Sequence, residues 1–292
     1  MRRNLDMLTV KAFAKINLAL DVLYKRPDGY HEVAMVMQAV SLADTIILTS
    51  HPGDIVLNVN IPGLPDDASN LAYRAAALIK EYAGIQQGVL ITLDKRIPLA
   101  AGLAGGSADA AAVLKGLNNL WELNLSLDKL SKLAAKLGSD VPFCLYNGTM
   151  LATGRGELLS PLPPLPKCYV ILAKPAVEVP TAWVYQEFKA DRVQVRPDIA
   201  AMSKFLEQGS IDGVAGNLAN VLESVTIPAH PEIAKIKESM LKYGAMAALM
   251  SGSGPTVFGL AGCQKQAEVI ASQLKTEGIP EVFVAETVSK VE

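Results

Sequence analysis

Residues 98–108 form a segment rich in glycine and alanine, of the kind that can bind a phosphate group. The segment follows a predicted strand that ends near Asp94 and precedes a predicted helix over residues 109–123. Glycines 102, 105 and 106 free the backbone to turn its N–H groups inward, and the N-terminus of the helix adds partial positive charge. A tight connection lined by small side chains would have the same composition. The segment alone therefore leaves both interpretations open.

Two common nucleotide-binding loops are excluded by the sequence. The G-x-x-x-x-G-K-[S/T] loop requires a Gly-Lys dipeptide, and the chain contains none. The dinucleotide-binding pattern G-x-G-x-x-G lacks its first glycine pair ahead of Gly102 and Gly105. A nicotinamide oxidoreductase is therefore not expected.

Three further segments carry residues that could take part in chemistry. Lys15 and Asn17 lie in an apolar stretch near the N-terminus, Asp140 lies in Gly138–Phe143, and Ser251–Phe258 contains a second glycine-rich turn. Each has an ordinary structural interpretation: a solvated lysine, an Asx-type turn and a hairpin turn, respectively. Their joint occurrence carries more information than any one of them.

The predicted secondary structure determines how these residues are positioned. Apolar residues occupy every even position of 8–22, which predicts one strand, or two strands with a bend, with Lys15 and Asn17 on the same face. Further strands are predicted over 33–42, 45–49, 55–60 and 89–93, and helices over 67–82 and 109–123. Ser126 is expected to cap a third helix that stops at Gly138, which places Asp140 in the connection beyond the helix end.

A proline-rich stretch over 161–166 predicts a domain boundary. After it come a strand over 168–173, several helices, two strands joined by a turn within 245–260, a helix over 264–276 and a strand over 282–288. This order is typical of a ferredoxin-like split β-α-β arrangement. The expected class is therefore α+β, with an N-terminal α/β domain over 1–160 and a C-terminal ferredoxin-like domain over 161–292.

Composition excludes several classes of protein. The 27 basic and 29 acidic residues nearly cancel and form no long basic stripe, so nucleic acid is not an expected partner. The three cysteines and three histidines do not lie at ligand spacing, so neither a disulfide framework nor a protein metal site is predicted.

Charges at Asp6, Lys11 and Lys15 interrupt any signal-peptide apolar region. The uncharged stretch 243–264 is broken by a Ser-Gly-Ser-Gly-Pro turn, so we expect no membrane association and a cytoplasmic location.

In this order, the four segments resemble the GHMP kinase superfamily, which includes galactokinase, homoserine kinase and mevalonate kinase. The resemblance runs over residues 9–261 and implies the two-domain fold of that superfamily, with the C-terminal domain closing the substrate cleft. A closer match to one branch of the superfamily is carried by Ala14–Leu18, Asp28–Glu32, Asp94–Pro98, Gly138–Phe143 and Ser251–Gly254. The glycine-rich segment departs from the usual G-L-G-G-G-S-S-D-A-A, with Ala104 for one glycine and Ala108 for the second serine.

The resemblance implies roles for individual residues. Asp140 would act on the acceptor hydroxyl and Lys15 would supply positive charge beside it. Mg²⁺ would be carried by the nucleotide, and Ala108 offers no hydroxyl to it. The predicted ATP-binding residues are Pro98, Leu99, Ala100, Ala101, Gly102, Leu103, Ala104, Gly105, Gly106, Ser107 and Ala108, with Asn70 and Lys95 near the adenosine.

Within the superfamily, the match is closest to the branch that phosphorylates the 2-hydroxyl of a cytidine-diphosphate-linked sugar alcohol in non-mevalonate isoprenoid biosynthesis. Tyr30 and His31 match the residues that recognise cytosine, and Tyr185 is predicted to be a second stacking aromatic. The predicted substrate-binding residues are Asn17, Tyr30, His31, Thr181, Tyr185, Ser251, Gly252, Ser253 and Gly254.

Two alternatives remain. One is another small-molecule kinase of the superfamily, such as homoserine or mevalonate kinase, although those acceptors have no base for the Asp28–Glu32 segment to bind. The other is a non-catalytic nucleotide sensor on the same fold, which would be expected to lose Lys15 or Asp140. The sequence does not determine the oligomeric state.

Overall fold

The computed structural model describes residues 6–289, which pack as two compact units. Unit 1 comprises the described part of Met1–Ala14 with Ala43–Ile97 and Ala104–Tyr146. Unit 2 comprises Lys15–Leu42, Pro98–Leu103 and the described part of Asn147–Glu292. Because the units interleave along the chain, this packing does not test a domain boundary at 160/161, which stays a prediction.

Two long strands, β1 (Met7–Lys25) and β2 (His31–His51), each contribute to both units. The strand predicted over 8–22 is confirmed as β1. The prediction of separate strands over 33–42 and 45–49 is wrong, because β2 runs through without a break. Asp44, in the middle of β2, accepts hydrogen bonds from the backbone N–H groups of Arg96 and Ile97, so its fully buried carboxylate does not interrupt the strand.

Unit 1 contains a sheet with helices. Its strands follow the order β3-β4-β2-β1, where β3 (Ile55–Val59) is parallel to β4 (Gly88–Asp94) and β4 is antiparallel to β2. The helices are α1 (Leu71–Ala83), α2 (Gly105–Leu120), α3 (Leu127–Leu137) and α4 (Val141–Tyr146). Ser126 caps α3 through its side chain, as predicted.

Two features of these helices differ from the sequence-based predictions. Helix α2 begins at Gly105 rather than at residue 109, so the last four residues of the predicted loop form its first turn. The short helix α4, directly after Asp140, was not predicted. Its Pro142 suggests a break in structure, but proline is tolerated in a first helical turn, where the missing N–H has no intrahelical partner.

In unit 2, the remaining parts of β1 and β2 pair with short strands. β8 (Ala219–Asn220) is parallel to β1, β5 (Thr149–Thr153) is antiparallel to β2, and β6 (Leu158–Pro161) is antiparallel to β5. The helical elements of this unit are α5 (Thr181–Glu187), a 3-10 helix (Ala190–Arg192), α6 (Ile199–Glu207), α7 (Ile211–Gly216), α8 (Glu223–Ala229) and α9 (Glu232–Lys242).

The rest of unit 2 has the predicted ferredoxin-like topology. Strands β7 (Tyr169–Lys174), β9 (Ala247–Met250), β10 (Val257–Ala261) and β11 (Glu281–Glu286) form an antiparallel sheet in the order β11-β7-β10-β9, with α10 (Gln264–Thr276) before β11. The uncharged stretch 243–264 thus forms two buried strands and a turn. Between residues 6 and 289, no helix is long and apolar enough to cross a membrane.

Candidate functional site

Lys15 and Asn17 form a buried polar pair on β1 in unit 2. The Lys15 Nζ donates a 2.7 Å hydrogen bond to Asn17 Oδ1, which confirms that the two side chains share a face. Lys15 is only 4% exposed and Asn17 is fully buried, so the alternative of a solvated lysine is excluded. Burying an ammonium group is costly unless it is paired or hydrogen-bonded, and such an arrangement is common at functional sites.

The first half of the glycine-rich segment, residues 98–103, packs in the same unit as this pair. The backbone N–H of Lys15 donates to the carbonyl of Leu103 at 3.1 Å. Gly102 has a φ of 72°, and the hydroxyl of Ser251 donates to its carbonyl at 3.0 Å. Within unit 2, the structure therefore places Lys15, residues 102–103 and the Ser251 turn together.

The turn 251–254 is held tightly against these residues. A Cβ atom added at Gly252 would lie 3.1 Å from the Gly102 oxygen and 3.4 Å from Lys15 Nζ, and Gly252 has a φ of 59°, so this position requires glycine. Asn220, which sequence reasoning missed, donates from Nδ2 to the carbonyls of Met250 and Gly252 at 2.9 and 2.8 Å. Because Asn220 lies 32 positions from Gly252, no local pattern reveals this contact.

Thr181, at the start of α5, also reaches this turn. Its Oγ1 lies 2.8 Å from Ser253 Oγ, and Thr226 Oγ1 donates to the Ser253 carbonyl at 3.2 Å. The predicted grouping of Thr181 with the residues of the turn is thus observed in unit 2. The Thr226 contact holds the backbone of the turn, whereas the Thr181 contact holds the Ser253 side chain.

The predicted aromatic residues make two ring contacts in unit 2: His31 contacts Tyr185, and Tyr30 contacts Arg155. The rings of His31 and Tyr185 have centroids 5.4 Å apart and are tilted by 35°. Tyr30 is 55% exposed, and the guanidinium of Arg155, which sequence reasoning missed, lies 4.9 Å from its ring centroid. Burial, followed by the charge of Lys25, lowers the pKa of His31 below its usual value, so the imidazole is neutral near pH 7. A neutral imidazole offers one hydrogen-bond donor and one acceptor.

The second half of the glycine-rich segment forms the N-terminus of α2 in unit 1. The N-cap residue, Ala104, has a φ of 57° and makes no side-chain hydrogen bond to the helix. The first-turn N–H groups of Gly105, Gly106 and Ser107 thus lack the side-chain cap that serine, threonine or aspartate would supply. An uncapped helix N-terminus can bind the oxygens of a phosphate.

A buried ion cluster lies next to this helix end. Lys95 Nζ contacts Asp44 Oδ2 and lies 2.7 Å from Asp109 Oδ2. Burial raises the pKa of Asp109 to about 8, although the charge of Lys95 opposes that shift. Burial alone would lower the pKa of Lys95, but Asp109 and Asp44 together outweigh that effect and raise it. Asp44 was not identified from the sequence, because a single aspartate within a strand carries no motif.

The structure also shows the positions of two other predicted site residues of unit 1, Asn70 and Asp140. Asn70 caps α1, accepting from the N–H of Ala72 at 2.9 Å and donating from Nδ2 to the Pro65 carbonyl at 2.7 Å. Asp140 lies between α3 and α4, partly buried, and its carbonyl accepts from the N–H of Cys144 at 3.3 Å. Its place beyond the end of α3 is as predicted.

The side chains of the described residues do not form a metal-binding cluster. Between residues 6 and 289, no group of three or more histidine, cysteine, aspartate or glutamate residues could hold a metal ion.

Comparison with known proteins identifies two family models along the chain. The model for the GHMP kinases N terminal domain matches residues 70–148, and the model for the GHMP kinases C terminal domain matches residues 199–279. The first match covers α1, the glycine-rich segment and Asp140. The second covers most of the helices of unit 2 and the turn 251–254.

The chain is also similar to individual proteins. It is 55% identical over 255 residues to the 4-diphosphocytidyl-2-C-methyl-D-erythritol kinase of Geobacillus kaustophilus (strain HTA426), which covers 87% of this chain and 88% of the relative. A crystal structure of 4-(cytidine 5'-diphospho)-2C-methyl-D-erythritol kinase has a TM-score of 0.84 and 35% identity, covering 96% of this chain and 99% of that one. A homoserine kinase structure from Cytophaga hutchinsonii has a TM-score of 0.78 at 22% identity, covering 99% and 97%, which shows a shared fold only.

Proposed function

The chain belongs to the GHMP kinases, within the family of the 4-diphosphocytidyl-2-C-methyl-D-erythritol kinases, and from this premise we propose that it phosphorylates the 2-hydroxyl of 4-diphosphocytidyl-2-C-methyl-D-erythritol with ATP. The two-domain GHMP kinase fold and the α+β class implied by the sequence are confirmed. The observation that carries the proposal is the high identity to named kinases of this substrate over most of both chains.

The phosphates of ATP are assigned to the glycine-rich segment. The support is the uncapped N-terminus of α2, whose N–H groups suit phosphate oxygens, and Gly102 with its positive φ. Magnesium would enter with the phosphates of the nucleotide. Asn70 and Lys95 stay predicted neighbours of the adenosine.

Phosphoryl transfer to an alcohol needs a group that accepts or orients the hydroxyl proton and positive charge to stabilise the transferring phosphoryl group. We assign the first role to the carboxylate of Asp140 and the second to the ammonium of Lys15. Lys15 is suited to this role because it is buried and positioned by Asn17, so its charge is little screened by water. The carboxylate takes the hydroxyl proton as the new oxygen–phosphorus bond forms and the bond between the γ-phosphorus and the β–γ bridging oxygen of ATP breaks, which releases ADP.

The cytidine diphosphate moiety is assigned to the aromatic residues of unit 2. Exposed Tyr30 offers a ring face for a base, and neutral His31 can supply a donor or an acceptor at the edge of the base. Stacking alone scarcely separates one base from another, so the choice of cytosine depends on the edge contacts. The acceptor end is assigned to Asn17, Thr181 and the turn 251–254.

A small-molecule substrate of this kind fits a cytoplasmic biosynthetic enzyme with neither nucleic acid nor membrane as its partner. The nearly balanced charge of the chain agrees with this location and with the absence of a nucleic-acid partner. The structural likeness to homoserine kinase concerns the fold and gives no support for homoserine as the acceptor.

The proposal is tested by incubating the protein with ATP and 4-diphosphocytidyl-2-C-methyl-D-erythritol and following both by phosphorus NMR. The expected result is stoichiometric loss of ATP with a new phosphomonoester on the acceptor. ATP binding without transfer would support a nucleotide sensor instead, and transfer to homoserine or mevalonate alone would support another kinase of the superfamily.

A further inference from the structure

The carboxylate of Asp44 is bound to the stretch of backbone from which the glycine-rich segment begins. Its Oδ1 accepts from the N–H of Arg96 at 2.5 Å and from the N–H of Ile97 at 2.8 Å. Its Oδ2 contacts the ammonium of Lys95, and the Asp44 side chain is fully buried. One carboxylate thus holds three consecutive residues, 95–97, directly before Pro98.

The second contact of Lys95 extends this arrangement to the start of α2. The ammonium lies 2.7 Å from Asp109 Oδ2, and a Cβ atom added at Gly105 would lie 3.1 Å from the same ammonium. Asp44 and Lys95 are therefore connected to both ends of the glycine-rich segment. The cluster consists of Asp44, Lys95 and Asp109. Among these three described residues, only Asp44 uses its side chain to hydrogen-bond the backbone that precedes the glycine-rich segment.

We propose that Asp44 is a positioning residue for nucleotide binding, which fixes the backbone of Arg96 and Ile97 and thereby the entry of the glycine-rich segment. This inference rests on the proposed function, because it takes that segment as the phosphate site. Asp44 itself need not touch ATP: its buried side chain acts through the N–H groups of Arg96 and Ile97.

The chemistry explains why an aspartate stands at this position. Two N–H groups and an ammonium converge on one side chain, and an ionised carboxylate accepts hydrogen bonds from all three. An alanine would leave two backbone donors without their acceptor, and a buried donor without an acceptor is costly because it has also lost its hydrogen bonds to water. The segment can recover these bonds only by moving, which removes the phosphate-binding geometry.

The removal of Asp109 should have a smaller effect. Among the described residues it contacts Lys95 but makes no hydrogen bond to the backbone of residues 95–97, and its Oδ1 makes no hydrogen bond at all. Asp109→Asn is therefore the matched control for Asp44→Ala: both change one buried carboxylate beside the same lysine. Asp44→Asn is the conservative variant, because an amide oxygen can still accept from Arg96 and Ile97.

The experiment measures steady-state KM values for ATP and for the acceptor, with calorimetric binding of a non-hydrolysable ATP analogue. Asp44→Ala should raise the KM for ATP and the Kd of the analogue about tenfold or more, and leave the acceptor KM within about threefold. Asp44→Asn should recover most of this loss, and Asp109→Asn should stay within about threefold of wild type. Equal effects of Asp44→Ala on both substrates, or an effect of Asp109→Asn as large as that of Asp44→Ala, would overturn the proposal.

A second measurement does not depend on the variant folding. Hydrogen exchange of the nucleotide-free wild type should show slow exchange at the N–H groups of Arg96 and Ile97, and fast exchange there would refute the role of Asp44. Analogue binding also separates this proposal from the proposed function. If the wild type binds the analogue but phosphorylates a different acceptor, the Asp44 test stands, whereas no analogue binding by the wild type overturns both.

Discussion

The hydroxyl of Ser251 donates a 3.0 Å hydrogen bond to the backbone carbonyl of Gly102, joining two glycine-rich segments that lie 149 positions apart. Gly252, the next residue, packs against the same carbonyl and against the ammonium of Lys15. Three segments that are individually ordinary thus become a single arrangement around one lysine. This arrangement explains why the turn after β9 has no room for a side chain at Gly252.

The first prediction concerns Gly252. We expect Gly252→Ala to lower kcat by about tenfold to a hundredfold, because its methyl group would press on the Gly102 carbonyl and shift the turn that contacts Lys15. The positive φ of 59° adds backbone strain for alanine. Steady-state kinetics with both substrates would measure the effect.

The matched control is Gly262→Ala. An added Cβ atom at Gly262 meets nothing within 4 Å, so this variant should have near-normal kcat. Equal activity of the two variants would show that the packing of the turn against Lys15 does not matter for turnover.

The second prediction concerns the two catalytic assignments. Asp140→Asn and Lys15→Ala should each lower kcat by about 10²–10⁴ while leaving the affinity for ATP largely intact, as expected for a proton acceptor and a charge that act during transfer. Single-turnover kinetics and calorimetry with an ATP analogue would separate the two effects. Asp128→Asn, at an exposed carboxylate on α3, is the control and should have normal turnover. Near-normal turnover of either test variant would remove the role assigned to that residue.

The sequence predicts those parts of this arrangement that depend on residues close together in the chain. It does not predict the parts that depend on residues far apart in the chain. The alternation along β1 predicts a shared face for Lys15 and Asn17, and the ferredoxin-like order of strands follows from local patterns. The burial of Lys15 is not predictable in this way, because it depends on Leu103 and on the distant turn that contains Gly252. Local alternation describes one strand, whereas burial depends on what packs against both of its faces.

The glycine-rich segment shows a second limit of sequence reasoning. Its glycines suggest backbone freedom, but the positive φ angles fall at Ala100, Gly102 and Ala104, and Gly105 begins a helix. Gly105 is needed for a different reason, since a side chain there would approach Lys95. Asp44 and Asn220 were missed because both act on backbone far away in the sequence, which composition and spacing do not reveal.

The third prediction concerns stability as a function of pH. Burial raises the pKa of Asp109 from 3.8 to about 8, so the folded state holds a proton that the unfolded state releases between these values. Its contribution to the free energy of unfolding is complete below about pH 4 and is lost as the pH rises to about 8, by at most about 1.4 kcal/mol per pH unit. Asp109→Asn removes this contribution.

Urea unfolding of both proteins between pH 5 and 9 would measure the difference. The stability of the wild type relative to Asp109→Asn should fall as the pH rises from 5 to about 8 and then level off. A difference that is constant over this range, or that grows with pH, would show that Asp109 is ionised in the folded protein at neutral pH.

The central claim, that this chain is a kinase for a cytidine-bearing acceptor, is tested most directly by kcat/KM. The values are compared for 4-diphosphocytidyl-2-C-methyl-D-erythritol, its uridine counterpart, homoserine and mevalonate, each with ATP. A site that hydrogen-bonds the edge of the base through His31 can reject a mismatched analogue by about 10⁴. We expect the cytidine compound to exceed the uridine compound by at least about a hundredfold, with no measurable transfer to homoserine or mevalonate. Equal values for the two nucleotides would contradict recognition of the base edge, and a preference for homoserine or mevalonate would contradict the substrate assignment itself.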